Sequence, residues 1–313
     1  MATKMETAYR QEIKTRYVKN DKIRIKTTDR CNMNCWFCHA EGAPSCSDVV
    51  LDNTFDAALR YFRAVFSRAH LTGGEPFLYP YLEDLLGVLE EKGYAISITT
   101  NGCFELSQRI IDFAHHFQYI NFSFHSLESE YYAKLSPASS GSLVVDRIAS
   151  NIRALSGIIP VRINTVVSGN GSEQHLEKMI EFAEDVGCEL KFVPELRTKE
   201  AATLAIESLL REENYHLYER QIITSSSNLR ERYMNSKGSV IEIKKLIACF
   251  PTFCCNNCDS VDSCNEGFSF VRIGGNPLYT QICIKKKPVR FDEFLLSQWS
   301  ELKKTFEDDS LLL

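Results

Sequence analysis

Between residues 22 and 196 the chain alternates short apolar runs with longer amphipathic stretches, and this alternation is its strongest constraint on the fold. KIRIKTT (22–28) and AISITTNG (95–102) have the apolar patterns of strands. YLEDLLGVLEEKGY (81–94) instead carries apolar residues at helical spacing and ends at a glycine. Strands separated by helices of this length predict parallel pairing with right-handed crossovers. The sequence therefore predicts an α/β fold, either a doubly wound sheet or a complete or partial barrel.

The same pattern predicts further elements along this part of the chain. Strands are predicted at 69–74, 119–126, 161–169 and 188–196, and helices at 54–69, 144–157 and 172–187. In both architectures the carboxyl ends of the parallel strands carry the chemistry. Those ends hold the residues from Cys31 onward, Gly73 to Pro76, Thr99 to Gly102, Ser123 to Ser126, and Val166 to Gly169.

Downstream of residue 197 the pattern changes. The stretch KEAATLAIESLLREENYHLYERQIITSSSNLRERY (199–233) is charged and is predicted to be mostly helical, and a cysteine-rich segment follows it. We therefore divide the chain into four parts. These are an N-terminal extension (1–20), a core (21–197), a helical connector (198–235) and a small metal-bearing C-terminal module (236–313).

Charge and composition exclude some classes of protein. No segment approaches the roughly 18 uninterrupted apolar residues of a membrane span, and the charged N-terminus has no signal-peptide pattern. We therefore expect a cytoplasmic protein without a membrane partner. The net charge of −5 argues against nucleic acid as a partner. The basic run IKKKPVR (284–290) is interpreted as a solvated turn in preference to a phosphate site.

The twelve cysteines are unevenly distributed. In a reducing compartment disulfides do not persist, and clustered thiols more often hold metal or carry out redox chemistry. One group contains Cys31, Cys35 and Cys38, and a second contains Cys249, Cys254, Cys255, Cys258, Cys264 and Cys283. Cys46, Cys103 and Cys188 stand alone.

The first group has intervals of four and three residues. A structural zinc site needs four ligands, and His39 is poorly placed as the fourth because it is adjacent to Cys38. Three thiolates at this spacing instead fit three irons of a [4Fe-4S] cube, which leaves the fourth iron for a ligand that is not protein. The motif therefore favours an iron-sulfur cluster over zinc.

C-x3-C-x2-C, with the aromatic Phe37 before its last cysteine, resembles the motif of the radical S-adenosylmethionine (SAM) superfamily. The segments LTGGEP, ITTNG and NFSF follow in the order of that family, and the resemblance runs from about residue 20 to 196. It implies a partial (β/α)6 barrel and a cluster whose open iron binds SAM. It also implies cleavage of SAM by one electron, from a donor such as flavodoxin or ferredoxin, to a 5′-deoxyadenosyl radical that abstracts hydrogen from a substrate.

The resemblance also implies site residues. SAM contacts are implied at Phe37, Gly73, Gly74, Glu75, Pro76, Thr99, Asn101, Ser123 and Leu196. Within the superfamily the sequence is most similar to the GTP 3′,8-cyclase branch, and this similarity implies nucleotide contacts at Arg24, Thr100 and Arg162. The alternative for the two arginines is that they are outward-facing, solvated charges.

The second cysteine group departs from that branch. Those cyclases have a C-x2-C-x13-C motif, paired arginines and a Gly-Gly tail, whereas this chain has only Arg272 nearby and ends in DDSLLL. Its C-x2-C-x5-C element is similar to SPASM and twitch extensions, which implies an auxiliary iron-sulfur cluster on Cys255, Cys258, Cys264 and Cys283. Four thiolates leave no open iron, whereas three leave one. A zinc knuckle is the alternative, and Cys249 or Cys254 can replace any of the four.

Two further residues have open interpretations. Cys103 follows TTNG at a strand end and is a candidate hydrogen-atom donor to a substrate radical, with buried apolar filler as the alternative. His125 stands where the cyclase-like sequences usually have an acid. It is a candidate proton donor or substrate contact, and the alternative is a structural histidine at the barrel mouth.

Three functions remain open. The first is a radical SAM enzyme that acts on a small polar or nucleotide-like substrate, supported by Arg24 and Arg162 and by an N-terminal extension too short for a leader-peptide recognition domain. The second is a maturase of a ribosomally made peptide, supported by the SPASM-like cysteines. The third, a non-catalytic iron or zinc protein, fits the GGEP and TTNG segments poorly. Because the paired arginines are missing, we expect GTP not to be the substrate.

Overall fold

The computed structural model describes residues 12–38, 47–135, 141–169, 173–247, 249–256, 258–264 and 266–307. Its strands are β1 (Lys14–Val18), β2 (Lys22–Lys26), β3 (Arg68–Thr72), β4 (Ala95–Thr100), β5 (Phe117–Ser123), β6 (Val161–Val167), β7 (Glu189–Pro194), β8 (His216–Ile223), β9 (Asn228–Met234), β10 (Val240–Leu246), β11 (Arg272–Gly274), β12 (Tyr279–Gln281) and β13 (Val289–Arg290). In these ranges no helix is both long and apolar enough to cross a membrane.

The helices are α1 (Asn53–Arg63), α2 (Leu82–Glu91), α3 (Gln108–Ala114), α4 (Ser129–Leu135), α5 (Gly141–Ser156), α6 (Glu173–Val186), α7 (Lys199–Glu212), α8 (Thr252–Cys255), α9 (Phe291–Ser297) and α10 (Trp299–Glu307). The strands form one sheet in the order β1-β8-β9-β10-β7-β6-β5-β4-β3-β2-β11-β12-β13. Strands β2 to β7 are parallel neighbours in chain order, with helices between them. The predicted α/β fold with a partial (β/α)6 barrel is therefore confirmed.

The two faces of the barrel differ sharply in polarity. On β6 the buried residues Val161, Ile163, Thr165 and Val167 alternate with less buried positions, as a strand with one core face requires. The core face packs against the helices through side chains such as Ile25 and Phe62. The opposite face carries mainly polar side chains.

That polar face is concave. Five strands separate β10 from β2 in the sheet, yet Lys244 on β10 lies close enough to Arg24 on β2 for the two charges to interact. Lys22 on β2 interacts with Arg230 on β9 in the same way. Only a curved sheet brings these side chains together, and we call the space that it encloses the lumen.

The predicted helical connector (198–235) is wrong beyond α7. Residues 216–234 form β8 and β9, which pair antiparallel. Their charged side chains pair across the strands, as in Arg220–Glu231 (2.8 Å) and Arg232–Glu219 (3.1 Å). The strands therefore lack the apolar alternation from which a strand is recognised. Since β10 pairs with β7 and β11 pairs with β2, the sheet also runs without interruption into the predicted C-terminal module. The division into domains stays a prediction.

Aromatic packing fastens the C-terminal helices to the barrel. The Phe62 ring on α1 lies 5.8 Å from Phe294 and 5.5 Å from Trp299. Phe66 lies 5.0 Å from Phe306 on α10. These contacts place residues 291–307 over α1, on the core side of β2.

We expect Phe294→Ala to lower the free energy of unfolding by about 3–5 kcal/mol, because it removes a fully buried ring from this cluster. The measurement is urea denaturation, in which the midpoint falls while the slope is retained. Leu296→Ala is the matched control on the same helix, since Leu296 is 92% exposed. Equal midpoints for the two variants would contradict the assigned packing.

Candidate active site and second cysteine site

The loop after β2 carries the first three cysteines close together. Cys31 and Cys38 are exposed, and Cys35 is half-buried. Burial, together with the neighbouring Cys38 and Cys31, raises the pKa of Cys35 to about 12. Among the residues that the structure describes, no three or more Cys, His, Asp or Glu side chains are grouped as ligands of one metal ion. The three side chains of this loop are thiols, which are soft donors that suit iron-sulfur chemistry.

Hydrogen bonds to sulfur favour the thiolate that a cluster requires. The Met33 backbone N–H donates to Cys31 Sγ at 3.4 Å, and Asn101 Nδ2 lies 3.8 Å from the same sulfur. Asn101 Nδ2 also donates to Asn32 Oδ1 at 2.7 Å. Asn101, in the loop after β4, therefore contacts the cysteine loop at both the Cys31 sulfur and the Asn32 side chain.

The predicted GGEP turn packs directly on the cysteine loop. The Gly74 N–H donates to the Thr28 carbonyl at 2.7 Å, and the Glu75 N–H donates to the Arg30 carbonyl at 2.7 Å. A Cβ atom at Gly74 would lie far inside van der Waals distance of the Arg30 carbonyl. Gly73 has a φ of +149°, which only glycine adopts readily. The close approach of these glycines is thus to the cysteine loop, and their contact with SAM stays a prediction.

Glu75 links that turn to the end of β4. Its buried carboxylate accepts hydrogen bonds from Thr100 Oγ1 (2.8 Å), Asn101 N–H (2.7 Å) and Phe77 N–H (3.1 Å). The pKa of Glu75 is raised to about 7, because burial outweighs the three hydrogen bonds, which lower it. Pro76 begins the short 3-10 helix that follows the carboxylate.

The neighbouring threonines of β4 face opposite ways. Thr100 shares its face with the core residue Ile98, and its hydroxyl donates to Glu75. The structure therefore does not bring Thr100 together with Arg24 and Arg162, and its role as a nucleotide contact stays a prediction. Thr99 faces the lumen, where its Oγ1 lies 2.8 Å from His70 Nε2.

Both predicted substrate arginines lie on the lumen face. The Arg24 guanidinium stacks over the Phe270 ring at 4.4 Å. Arg162 stacks over the Tyr119 ring at 4.1 Å and pairs with Glu189 at 3.0 Å. Both arginines thus face the lumen and pack on aromatic rings, and their role as nucleotide contacts stays a prediction. Ser123 on β5 faces the lumen with Tyr119, at the same end of the barrel as the cysteine loop.

Sequence reasoning missed a group of lumen cations. Burial and four nearby cations, namely Arg24, Lys191, Arg272 and Arg230, together lower the pKa of Lys244 to about 8. Glu242 is the carboxylate that pairs with this group, 2.8 Å from Lys191. The strand sequences ELKFVP and VIEIKKL place charged residues between apolar ones, and this alternation could have indicated a charged strand face.

His125 is neutral and fixed. Its Nδ1 accepts the Val166 backbone N–H at 3.2 Å, so that Nε2 carries the proton. Burial lowers the pKa of His125 to about 4. The ring lies edge to face with Phe37 at 5.1 Å, so His125 adjoins the cysteine motif as a neutral hydrogen-bonding group.

The remaining predicted residues lie around this region. The Cys103 backbone carbonyl accepts from Asn32 Nδ2 at 2.6 Å, and the half-buried Cys103 thiol lies near Arg147. Leu196 lies beyond β7 and, with Lys244, lines a cavity of about 380 Å³. His39, Cys46 and the final residues 308–313 lie outside the described residues.

The second cysteine group surrounds one cavity. This small cavity is lined by five cysteines, namely Cys254, Cys255, Cys258, Cys264 and Cys283. These include the four predicted ligands and one of the two predicted substitutes. A hydrogen bond from Cys254 lowers the pKa of Cys283 to about 6 and raises that of Cys254. The zinc alternative for this site stays open.

Comparison with known proteins decides the family. The family described as the Radical SAM superfamily matches residues 25–183, about half of the chain. The chain belongs to the radical SAM superfamily. It is therefore an enzyme that uses a [4Fe-4S] cluster with SAM, and the all-thiol loop after β2 fits that cluster.

Curated relatives extend the similarity further along the chain. A probable GTP 3′,8-cyclase of Saccharolobus solfataricus is 28% identical over 249 residues, which cover 75% of this chain and 78% of that protein. A probable GTP 3′,8-cyclase of Methanosarcina mazei is 32% identical over 168 residues, which cover 51% of this chain and 49% of that protein.

Among solved structures, Streptococcus suis SuiB bound to S-adenosylmethionine matches with a TM-score of 0.51 and 16% identity. The match covers 64% of this radical SAM chain and 50% of the SuiB chain. At this identity the likeness shows the fold alone.

We expect Gly74→Ala to displace the cysteine loop of this radical SAM enzyme, because the new Cβ meets the Arg30 backbone and not a flexible side chain. Iron bound by the first cysteine group should fall by at least half, measured after anaerobic reconstitution. Gly87→Ala in the middle of α2 is the matched control, since nothing lies within 4 Å of its added Cβ. It should leave the iron content unchanged and stabilise α2 by about 0.5–1 kcal/mol. Equal iron contents would contradict the assigned contact.

Proposed function

We propose that this radical SAM enzyme uses the 5′-deoxyadenosyl radical to abstract a hydrogen atom from a small, polar, anionic substrate bound in the lumen. The observation that carries the proposal is the group of cations that meets there, namely Arg24, Lys191, Arg230, Lys244 and Arg272. A concave site with an excess of one sign of charge concentrates ligands of the opposite sign, and here five cations face the carboxylate of Glu242. Phosphate and carboxylate groups are the anions that arginine binds best.

The arginines of this site are held in place before a ligand arrives. Phe270 lies under the Arg24 guanidinium, and Tyr119 lies under that of Arg162. Glu189 fixes Arg162 from a further side at 3.0 Å. A side chain already held in its binding position loses less conformational entropy when it binds, which supports a role in recognition.

The first three cysteines would hold the cluster, and the lumen would hold the substrate beside it. When bound, the cluster supplies the electron that cleaves SAM. The chain's own residues orient the reactants. Glu75 and Asn101 fix the cysteine loop, and His125 presents a neutral N–H beside Phe37. The polar lumen face binds the substrate while the enclosing sheet excludes bulk water.

Cyclisation of GTP is the second candidate function. It is favoured by the relatives that are named probable GTP 3′,8-cyclases and by Arg272, which lies among the lumen cations. Against it stand the missing arginine pair and the different cysteine spacing. We expect 5′-deoxyadenosine formation to be insensitive to GTP. Efficient conversion of GTP to a 3′,8-cyclised nucleotide would establish the second candidate in place of the first.

Replacing Cys31, Cys35 and Cys38 together with alanine should abolish formation of 5′-deoxyadenosine from SAM in the presence of dithionite. The variant should keep the metal of the second cysteine site, because the two sites share no cysteine. Chromatography of the nucleoside and metal analysis of the same sample provide the two measurements. An unchanged 5′-deoxyadenosine yield would show that these cysteines do not hold the SAM cluster.

Lys244→Met should weaken the binding of inorganic pyrophosphate by at least tenfold, because it removes a charge-assisted contact of about 1.5–3 kcal/mol from the lumen while nearly preserving volume. Isothermal titration calorimetry at two salt concentrations measures the affinity. Arg153→Gln is the control, since Arg153 lies on the outer helix α5 and pairs with Asp185. Equal affinity in the wild-type protein and the Lys244 variant would contradict an anion site in the lumen.

A further inference from the structure

Two asparagines on the lumen face have side-chain carbonyls without a hydrogen-bond donor. Asn121 shares its face of β5 with Tyr119, and it is 8% exposed. Asn164 shares its face of β6 with Arg162, so strand alternation directs both amides into the lumen. Both Oδ1 atoms are buried, and neither accepts a hydrogen bond from any group in the described parts of the chain. A buried acceptor without a donor costs free energy, and a ligand that supplies the donor removes that cost.

The neighbouring strands fix the orientation of the Asn121 amide. His70 on β3 is hydrogen-bonded at both ring nitrogens, with Nδ1 2.8 Å from Ser97 Oγ and Nε2 2.8 Å from Thr99 Oγ1. The Thr99 hydroxyl oxygen in turn accepts from Asn121 Nδ2 at 3.3 Å. The amide nitrogen is thus held against the sheet, and the carbonyl oxygen is the atom left for a ligand.

Each asparagine has a cation beside it on the next strand. In the register of the sheet, Asn121 lies beside Arg162, and Asn164 lies beside Lys191. Carboxylates on β7 and β10 already pair with these two cations, at 3.0 and 2.8 Å. The amide carbonyls are therefore not occupied by the cations. The lumen presents positive charge and uncharged acceptors side by side.

An uncharged acceptor selects for a different chemical group than a cation does. A carbonyl oxygen carries partial negative charge, so it attracts an N–H or O–H donor and repels an anion. An aspartate at either position would instead form an ion pair with the neighbouring cation. The asparagines thus preserve the positive charge of the lumen and add a requirement for hydrogen-bond donors.

We propose that Asn121 and Asn164 form a subsite for an uncharged group of the substrate that donates N–H or O–H hydrogen bonds, next to the anionic group that the cations bind. The inference rests on the proposed function and narrows its substrate class. A bare dianion would leave both carbonyls unpaired. A substrate that carries a carboxamide or hydroxyl group beside its phosphate or carboxylate would pair them.

The test compares two anions that differ in one group. Phosphonoacetamide and 2-oxopropylphosphonate have the same charge and skeleton, but the first has an amide NH2 where the second has a methyl group. Anaerobic isothermal titration calorimetry measures the affinity of each for the reconstituted enzyme without reductant. SAM is present at saturation in every titration, so that a subsite occupied by SAM would show no preference between the two.

We expect the wild-type enzyme to bind phosphonoacetamide at least about fivefold more tightly than 2-oxopropylphosphonate, because only the amide supplies donors to the asparagines. Asn121→Leu and Asn164→Leu should each reduce this ratio, and the double variant should bring it to about one. Asn53→Leu is the control, since Asn53 is exposed at the start of α1. It should leave both affinities unchanged.

Two further variants separate the hydrogen bonds from the charge. Asn164→Asp keeps an acceptor and adds a negative charge, so it should weaken both phosphonates and retain the preference for the amide. Lys244→Met removes a lumen cation, so it should also weaken both and leave their ratio unchanged. The ratio therefore reports the asparagine subsite, and the absolute affinity reports the anion site.

Several results would overturn the proposal. Equal wild-type affinities for the two phosphonates, with both weakened in Lys244→Met, would remove the asparagine subsite and leave the anion site in place. A preference that persists in the double leucine variant would do the same. Binding of pyrophosphate but of neither phosphonate would show that a second anionic group occupies this position. Unchanged affinities in Lys244→Met would instead contradict the proposed function. The wild-type comparison decides even if a leucine variant does not fold, as judged by circular dichroism.

Discussion

The carboxyl end of the barrel depends on one buried carboxylate. Glu75 accepts three hydrogen bonds from the segment 76–78 and the end of β4, while its own N–H donates to the cysteine loop at Arg30. A buried carboxylate without such donors would cost several kcal/mol. The three segments are thus joined at one residue, and Asn101 extends the connection to Asn32 and Cys31. The cysteine loop therefore has a defined position before a cluster binds to it.

The positive lumen is built at a cost in stability. Lys244 lies among four other cations and is half-buried, so its charge is poorly solvated and repelled by its neighbours. Glu242 neutralises only part of this charge, through Lys191 and Arg230. Natural proteins retain such unfavourable groups mainly at functional sites. An anionic ligand would offset this repulsion, and the relief of the repulsion would contribute to its binding free energy.

How far the sequence predicts this structure depends on whether a feature is local. The strands and helices of 22–196 were predictable because each buries an apolar face with its own period. The strands β8 and β9 were not predictable in this way, since Glu219 and Glu231 are buried as ion pairs. Their sequence therefore has the charged composition of an exposed helix. The meeting of Lys244 with Arg24 requires the curvature of the whole sheet, which no local pattern contains. Thr99 and Thr100 show an opposite case, because strand alternation alone places them on different faces.

The segment between Cys264 and Cys283 connects the second cysteine site to the lumen. Phe270 supports Arg24, and β11 extends the barrel sheet beside β2. Arg272 on β11 lies near enough to interact with both Cys283 and Lys244. A negative charge on these sulfurs and an anion in the lumen would therefore interact with the same guanidinium, which couples the two sites electrostatically.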